Sequence, residues 1–236
     1  MSRCGVGRLM KSLCGLLLTA SLAATMAIAQ SVPSLSADDR SAIQALVGQY
    51  AQALSGCRAA EFADLFVPGT GSFASGFRGR MVGRERLIAL VESERQCVAL
   101  NSKAGAPRPG GASGPTVSFE VTSSGVHGIA TLGTTEYQDE YVKTPQGWRF
   151  ASRTVITGAE KAAGLDARGI LEIQRLGGPN LGDHYEPDQN GTQRLMNSGV
   201  KVTVAGGQVT GRTYLKDGTY HDDVYEKLGT GEWRIK

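Results

Sequence analysis

The spacing of the apolar residues changes midway along the chain, and this change limits the fold more than any other feature. Over residues 36–55 the apolar residues recur every three or four positions, which is the spacing of one helix face. The segment 102–115, SKAGAPRPGGASGP, then interrupts all periodicity and predicts a flexible loop. After it Val117, Phe119 and Val121 alternate with polar residues, as in a strand. Helices first and strands afterwards predict an α+β fold.

Capping and turn residues bound the individual elements. Ser36 with Asp39 resembles the start of a capping box, and Gly56 is placed to end the first helix. We predict further helices over 59–66, 84–100 and 166–176, strands over 117–121 and 148–156, and a long strand or strand pair over 126–143. Glycines at Gly206-Gly207 and at Asp217-Gly218 predict turns between strands in the remainder.

The strand region is repeated within the chain. Residues 117–139 match residues 200–222 at a constant offset of 83 positions, and two single-residue insertions extend the match to the tryptophans Trp148 and Trp233. Residues 158–236 therefore read as a partial repeat, one helix plus antiparallel strands, that lacks the three helices of the first copy. Because a lone sheet cannot cover its own apolar face, we expect this copy to pack on the first domain or on a second molecule.

The first 29 residues have the pattern of a cleavable signal peptide. Arg3, Arg8 and Lys11 form a positive start, an apolar run follows, and Ala27 and Ala29 supply the small residues that precede a cleavage site. The apolar run is too short to span a bilayer of about 30 Å. The sequence therefore predicts export, to the periplasm or outside the cell, after cleavage near Ala29.

Charge and composition limit the partners. The chain has 25 basic and 22 acidic residues, and the three basic residues before Ala29 would leave with the signal, so the mature balance is 22 against 22. A neutral chain has no electrostatic reason to bind nucleic acid or an anionic membrane. We expect neither partner, and we leave a homodimer open.

Two cysteines remain after cleavage. Cys57 follows the first predicted helix and Cys97 lies late in the third. An even number of cysteines in an oxidising compartment favours a disulfide, which would tie these two helices together. A cysteine nucleophile is the alternative, but no histidine lies near either cysteine in the sequence.

Three segments carry a resemblance to a known family. The opening helix DDRSAIQALVGQYAQAL, the following EFADLF, and YQDEYVKTPQGWRFASRTVI at the end of the sheet resemble the SnoaL-like branch of the nuclear transport factor 2-like superfamily. The likeness covers residues 36–157, and TYHDDVYEKLGTGEWRIK resembles the same tail. It implies a cone, in which a curved mixed sheet wraps around three helices, over residues 30–157, with residues 158–236 as an incomplete antiparallel repeat. Relatives of this kind use an apolar pocket for proton transfer on small substrates.

The resemblance also implies an aspartate and a histidine that this chain lacks. The stretch 55–58 reads Ser-Gly-Cys-Arg where the aspartate would follow the first helix, and 100–102 reads Leu-Asn-Ser where the histidine would follow the third. Arg153 does match an arginine of dehydrochlorinase-like members. Arginine stays protonated and cannot act as a base, but it can hold an anionic group or a carbonyl. We predict a ligand pocket or rim formed by Tyr50, Phe66, Phe73, Leu87 and Arg153.

Other acid–base residues remain as an alternative. Tyr137, Asp139 and Tyr141 share one strand face, and His127 lies near the start of a strand. Tyr137, Asp139 or His127 could make a lyase or isomerase without a cofactor. Against this, the repeat aligns Tyr220 and Asp222 with the same pair, which favours a structural role.

Metal and phosphate sites are not predicted. His184 and His221 lack a second histidine at ligand spacing, and no glycine-rich stretch both follows a strand and opens a helix. The sequence thus predicts an exported protein that binds a small, largely apolar molecule without metal or cofactor. The alternatives are a lyase or isomerase with unusual acid–base residues and a structural assembly module.

Overall fold

Helices and strands follow one another in the order expected from the change in spacing. A computed structural model describes residues 35–102, 116–122, 125–132 and 135–236. Its helices are α1 (Ala37–Ser55), α2 (Ala59–Asp64), α3 (Arg84–Glu92), α4 (Arg95–Ser102), α5 (Gly158–Ala162) and α6 (Ala167–Leu176). Its strands are β1 (Ser72–Ser75), β2 (Gly79–Val82), β3 (Thr116–Thr122), β4 (Gly125–Leu132), β5 (Thr135–Thr144), β6 (Gly147–Ile156), β7 (Asp183–Pro187), β8 (Gln193–Ser198), β9 (Val200–Ala205), β10 (Gln208–Tyr214), β11 (Tyr220–Lys227) and β12 (Trp233–Ile235). The predicted α+β class is confirmed.

Eight strands form a mixed sheet in the order β3-β4-β5-β6-β1-β2-β8-β7. β1 runs parallel to β6 and β2 parallel to β8, whereas the other neighbours are antiparallel. One face of this sheet holds α1, α2 and α3, and the core between them includes Tyr50, Phe62 and Phe150. A mixed sheet around three helices is the cone that the resemblance implied.

The first helix follows the sequence pattern closely. The Ser36 hydroxyl accepts the Asp39 backbone N–H at 3.0 Å, and Gly56 is the C-cap. The apolar stripe Ile43, Leu46, Val47, Tyr50 and Ala53 is buried on the sheet. Hydrophobic burial along one face, rather than helix propensity, therefore fixes α1 in place.

The predicted third helix, 84–100, is two helices. α3 ends at Glu92 and α4 begins at Arg95. At the break the Ser93 hydroxyl donates to the Leu90 carbonyl at 2.7 Å, and Glu94 pairs with Arg78 at 2.9 Å. Local hydrogen bonding by serine competes with the helix ladder, which explains the interruption.

The second predicted helix, 59–66, is shorter than expected. α2 ends at Asp64, because the Phe150 backbone N–H donates to the Leu65 carbonyl at 3.0 Å and Val67 N–H donates back to the Phe150 carbonyl at 2.9 Å. After the helix the chain pairs with β6.

The sequence analysis did not predict α5, which has a complete capping box between Thr157 and Glu160.

For four short strands the sequence analysis gave no bounds, although β7 and β8 lie in the region predicted to contain strands. β1 and β2 form a hairpin, and β7 and β8 form another that extends the first sheet through the single pairing of Gly79 with Ser198. All four residues of β1 are buried, so the strand shows no polar–apolar alternation. The C-terminal part of the chain thus contributes to both sheets.

The second sheet has the order β12-β11-β10-β9 and is the predicted antiparallel repeat. Its apolar face packs on α6 and on the outer face of the first sheet. The shared core consists of Ala74, Ile156, Leu165, Ile170, Ile173, Val200, Val202, Val209, Tyr225 and Trp233. The apolar face of the second sheet is therefore covered within this chain.

The repeat is clearest where lysine faces tryptophan. Lys143 pairs with Trp148 across β5 and β6, and Lys227 pairs with Trp233 across β11 and β12. In both pairs the ammonium nitrogen lies 5.9 Å from the ring centroid. The two meanders therefore end in the same cross-strand contact.

The disulfide between Cys57 and Cys97 is confirmed, with 5.3 Å between the Cα atoms. It joins the end of α1 to α4. The predicted signal peptide, residues 1–29, and residues 103–115 of the predicted loop lie outside the described residues. Among the helices that the structure describes, none is long and apolar enough to cross a membrane.

Candidate functional site

An aspartate and an arginine meet on the inner face of the first sheet. Alternation along β5 turns Tyr137, Asp139 and Tyr141 toward the helices. β6 places Arg153 directly opposite Asp139, after a register shift between Glu140 and Tyr141. The two charged residues are therefore cross-strand neighbours inside the cone.

The pair is almost completely shielded from solvent. Arg153 is 0% exposed and Asp139 is 2% exposed. Arg153 Nε lies 3.3 Å from Asp139 Oδ1, and the Tyr141 hydroxyl donates to Asp139 Oδ2 at 2.6 Å. Both carboxylate oxygens thus have a neighbour, although the Nε–Oδ1 contact lacks hydrogen-bond geometry.

Aromatic rings surround the guanidinium. Its central carbon lies 4.0 Å from the ring centroid of Tyr50, 4.2 Å from that of Tyr137 and 4.6 Å from that of Phe150. α1 supplies the first ring and the two strands supply the others. Cation–π contacts satisfy the faces of a guanidinium but leave the N–H groups on its edges to other partners.

Those edge groups have no hydrogen-bond partner within the part of the chain that the structure describes. Nε, Nη1 and Nη2 of Arg153 and Oδ1 of Asp139 are all buried without a hydrogen bond there. A buried donor without an acceptor costs about 1–3 kcal/mol, and more when it is charged. The inner face therefore holds a concentrated set of donors ready for an oxygen acceptor.

Burial dominates the titration of this cluster. Desolvation raises the pKa of Asp139 to about 6, against the opposing effects of the Arg153 charge and the Tyr141 hydrogen bond. Desolvation also raises the pKa values of Tyr50, Tyr137 and Tyr141. Asp139 thus exchanges its proton near neutral pH, whereas the three phenols stay protonated.

The residues predicted for the pocket lie in one core. Tyr50, Phe66, Phe73 and Leu87 all belong to the cluster between the helices and the first sheet, and the guanidinium of Arg153 stacks on Tyr50. Four grooves of about 360 to 600 Å³ lie elsewhere on the described residues, and their walls do not include these five side chains. The prediction that they line a pocket stays a prediction.

The predicted acid–base residues fall on two faces. Tyr137 and Asp139 face the cone, whereas His127 is opposite Glu120 and Glu140 on the outer face. His127 lines an outer groove of about 600 Å³. Asp139 also contributes to the wall of that groove. Because Asp139 is opposite Gly128, the residue next to His127, the side chains of His127 and Asp139 point to opposite faces of the sheet.

The other two histidines make local contacts. His184 stacks on Tyr214 with 4.3 Å between the ring centroids, and His221 Nε2 lies 3.1 Å from Asp223 Oδ2. Among the described side chains, no group of three or more histidine, cysteine, aspartate or glutamate residues is placed to hold a metal ion.

The structure corrects the alignment of the repeat at Asp139. Gly128 is opposite Asp139 in the first sheet, and Gly211 is opposite Asp223 in the second. The structural counterpart of Asp139 is therefore Asp223 rather than Asp222, because the turn before β11 contains the extra residue. Asp222 instead lies on the exposed face and pairs with Arg212 at 2.8 Å.

Tyr50, Tyr137 and Phe150 form an aromatic cage around the guanidinium of Arg153. The sequence analysis did not single out Phe150. It lies within the Gly-Trp-Arg-Phe segment that carried the family resemblance. Its position opposite Tyr141 follows from the hairpin register, which the turn at 144–147 could have indicated.

Comparisons with known proteins identify a family for the first half of the chain. A family model described as a SnoaL-like domain matches residues 36–154. None of the curated proteins compared with the chain is a significant match.

Solved structures are similar over about half of the chain. An NTF2-like protein with a cystatin-like fold from Novosphingobium aromaticivorans is 20% identical, with 53% of this chain and 88% of that chain covered and a TM-score of 0.39. A hexachlorocyclohexane dehydrochlorinase from Novosphingobium barchaimii is 16% identical, with 51% and 87% covered and a TM-score of 0.38. An NTF2-like protein of unknown function from Silicibacter pomeroyi is 17% identical, with 50% and 95% covered and a TM-score of 0.35.

Proposed function

This chain belongs to the SnoaL-like family through residues 36–154, and from that premise we propose that it binds a small, largely apolar molecule inside the cone. Arg153 is the polar anchor. The observation that carries the proposal is the buried guanidinium, whose three nitrogens have no hydrogen-bond partner among the described residues. A carboxylate or carbonyl oxygen of a ligand would accept two of these N–H groups in the forked geometry that guanidinium favours.

The apolar part of the ligand contacts the surrounding core. Tyr50, Phe66, Phe73 and Leu87 offer aromatic and aliphatic surface within the same cluster as the guanidinium. All four are buried. Binding therefore requires these side chains to separate, and the ligand replaces contacts that they make with one another.

Two features support binding rather than the proton transfer of related enzymes. The position of the family's aspartate falls in 55–58, where Cys57 is held in a disulfide and the other residues carry no carboxylate. The position of its histidine falls in 100–102, which contains none. We propose that this chain lacks the usual dyad.

A lyase or isomerase activity is the second candidate, and Asp139 is the observation that favours it. Its pKa of about 6 suits a general base near neutral pH, and the Tyr141 hydroxyl fixes one of its oxygens. Proton abstraction would use Oδ1, the oxygen nearest Arg153, while the guanidinium stabilises negative charge on the substrate. No cofactor is needed for this step.

Two observations, one in the sequence and one in the fold, support a location outside the cytoplasm. The pattern over residues 1–29 supports cleavage near Ala29, and the Cys57–Cys97 disulfide is consistent with an oxidising compartment. We propose export to the periplasm or outside the cell.

Residues 30–157 would form the binding domain and 158–236 the partial repeat. A homodimer remains a proposal, but the covered apolar face of the second sheet does not require one.

The test compares paired ligands that differ in one oxygen-bearing group. Naphthoate and naphthalene share an apolar ring system, and we expect naphthoate to bind more tightly to the purified protein by calorimetry. Arg153→Met should abolish this preference. The control Arg149→Met removes an arginine from the same strand that lies outside the cage, and it should keep the preference.

Equal binding of naphthoate by the wild type and by Arg153→Met would contradict the anchor role. Turnover of a ketosteroid or a hydroxylated aromatic ketone that Asp139→Asn abolishes would instead favour the second candidate. Because Arg153→Met could weaken the fold, circular dichroism at the assay temperature must show that the variant is folded.

A further inference from the structure

A cleft lies beside β2, on the face of that strand turned away from the cone. It has a volume of about 530 Å³ and is bounded by β2, by one face of α6 and by the connection from β8 to β9. Three arginines, Arg80, Arg86 and Arg175, contribute to its wall, and no aspartate or glutamate does. This cleft therefore concentrates positive charge in a chain whose mature charge is balanced.

Only one of these arginines is firmly paired within the described residues. Arg86 Nη2 donates to Asp183 Oδ2 at 3.1 Å. Arg175, whose side chain is 74% exposed, lies 3.8 Å from Glu172, whose side chain is 15% exposed. Among the described residues, Arg80 has neither an ion pair nor a side-chain hydrogen bond. Two guanidinium groups thus keep most of their N–H donors for a ligand.

The rest of the wall is apolar. Val82, Leu171, Pro179 and Leu181 line the cleft beside the arginines. Arg80 and Val82 alternate onto the same face of β2, and Leu171 and Arg175 are one helical turn apart on α6. The cleft therefore offers donors and apolar surface side by side.

The floor of the cleft is held rigidly. The Gln174 amide donates to the Val200 carbonyl at 2.6 Å and accepts the Val200 backbone N–H at 2.9 Å, which clamps α6 to β9. A Cβ on Gly199 would lie 2.5 Å from Gln174 Oε1. Because these hydrogen bonds fix α6 against β9, Arg175 is presented from a fixed helix.

We propose that this cleft binds a small soluble anion that carries an apolar group, with a phosphate, sulfonate or carboxylate held by Arg80 and Arg175. Planar guanidinium groups match these oxygen anions, and the aliphatic wall receives the apolar part. This site is separate from the cone and does not depend on the ligand proposed there.

The probe is anilinonaphthalene sulfonate, which combines a sulfonate with aromatic rings and fluoresces when its rings leave water. We expect the full-length purified protein to bind it at low ionic strength, and inorganic phosphate to displace it. Arg80→Ala and Arg175→Ala should each weaken binding about fivefold, as expected for the loss of one exposed charge contact. Added salt should weaken binding further because the arginines are exposed.

Arg168→Ala is the matched control. Arg168 is an exposed arginine on α6, two turns before Arg175, and it is absent from the wall of the cleft. Arg168→Ala changes the net charge by the same amount as the other two substitutions but removes no residue of the cleft. The affinity of this variant for the probe should therefore stay within about twofold of that of the wild type. Equal loss in all three variants, or binding that phosphate does not displace, would overturn the proposal.

Sedimentation with phosphatidylglycerol vesicles distinguishes a soluble anion from a lipid headgroup. We expect no co-sedimentation. Vesicle binding that Arg80→Ala abolishes would overturn the assignment to a soluble ligand.

Discussion

Replacing Arg153 by methionine tests whether the buried ion pair governs the stability of the cone. Methionine keeps a long apolar side chain between the aromatic rings but removes the guanidinium, so Asp139 loses its partner at 3.3 Å. Breaking a buried pair by removing one member costs about 3–5 kcal/mol, because the remaining charge is left desolvated. We expect a loss of this size above neutral pH.

The loss of stability should depend on pH, because a protonated Asp139 is neutral and leaves no unpaired charge buried. The pKa of Asp139 is about 6 in the fold and is about 3.9 in an unfolded chain. For a carboxyl whose pKa is raised on folding, stability falls as the pH rises through the unfolded value and stops falling above the folded value. In the wild type this window runs from about pH 4 to about pH 6.

Removing Arg153 extends that window upward, because the guanidinium lowers the pKa of Asp139. Each further unit in the pKa of Asp139 changes the free energy of unfolding by about 1.4 kcal/mol. If that pKa rises by two units in the variant, the variant's loss of stability relative to the wild type should grow by about 3 kcal/mol between about pH 5 and about pH 8. Urea unfolding followed by tryptophan fluorescence at both pH values measures this growth.

The double variant Arg153→Met with Asp139→Asn supplies the control. It removes both charges, and replacing a whole buried pair by neutral groups is often close to neutral for stability. We expect it to be more stable than the single variant at about pH 8 and to lose the pH dependence. A deficit of the single variant that is the same at both pH values would refute this account of the pair.

Three other changes test neighbouring features. Tyr141→Phe removes the hydrogen bond at 2.6 Å that lowers the pKa of Asp139, so that pKa should rise above about 6 in a carboxyl-carbon NMR titration. Gly128→Ala would bring a Cβ within 2.7 Å of the Tyr141 ring and should cost about 1–3 kcal/mol in urea unfolding, whereas Gly48→Ala, with nothing within 4 Å, should not destabilise. Replacing both disulfide cysteines by serine should cost about 4 kcal/mol for a separation of 40 residues, and adding a reductant to the wild type should give the same loss.

The elements that the sequence predicts well are those with one buried face. α1 and β5 each show a clear period, because one side contacts the core and the other contacts water. β1 is buried on every residue and β7 is mostly exposed, so neither carries an alternating pattern. The bounds of these two hairpins therefore cannot be read from the spacing of apolar residues.

The residues of the candidate site could also be predicted in part from the sequence. Alternation alone places Tyr137, Asp139 and Tyr141 on one face, and the family resemblance draws attention to Arg153. What the sequence lacks is the contact between Asp139 and Arg153, since it depends on how two strands are aligned. Side-chain spacing within one strand carries no information about that alignment.

A single bulge determines that alignment. From the turn, Thr144 pairs with Gly147 and Tyr141 with Phe150, and continuing that register would place Ser152 opposite Asp139. The shift between Glu140 and Tyr141 inserts one residue of β6, so Arg153 takes that position and turns toward the helices. Without the bulge the arginine would point to the outer face, away from the aromatic cage. The buried charge pair is thus a consequence of one extra residue in β6, and a sequence pattern with a period of two cannot reveal it.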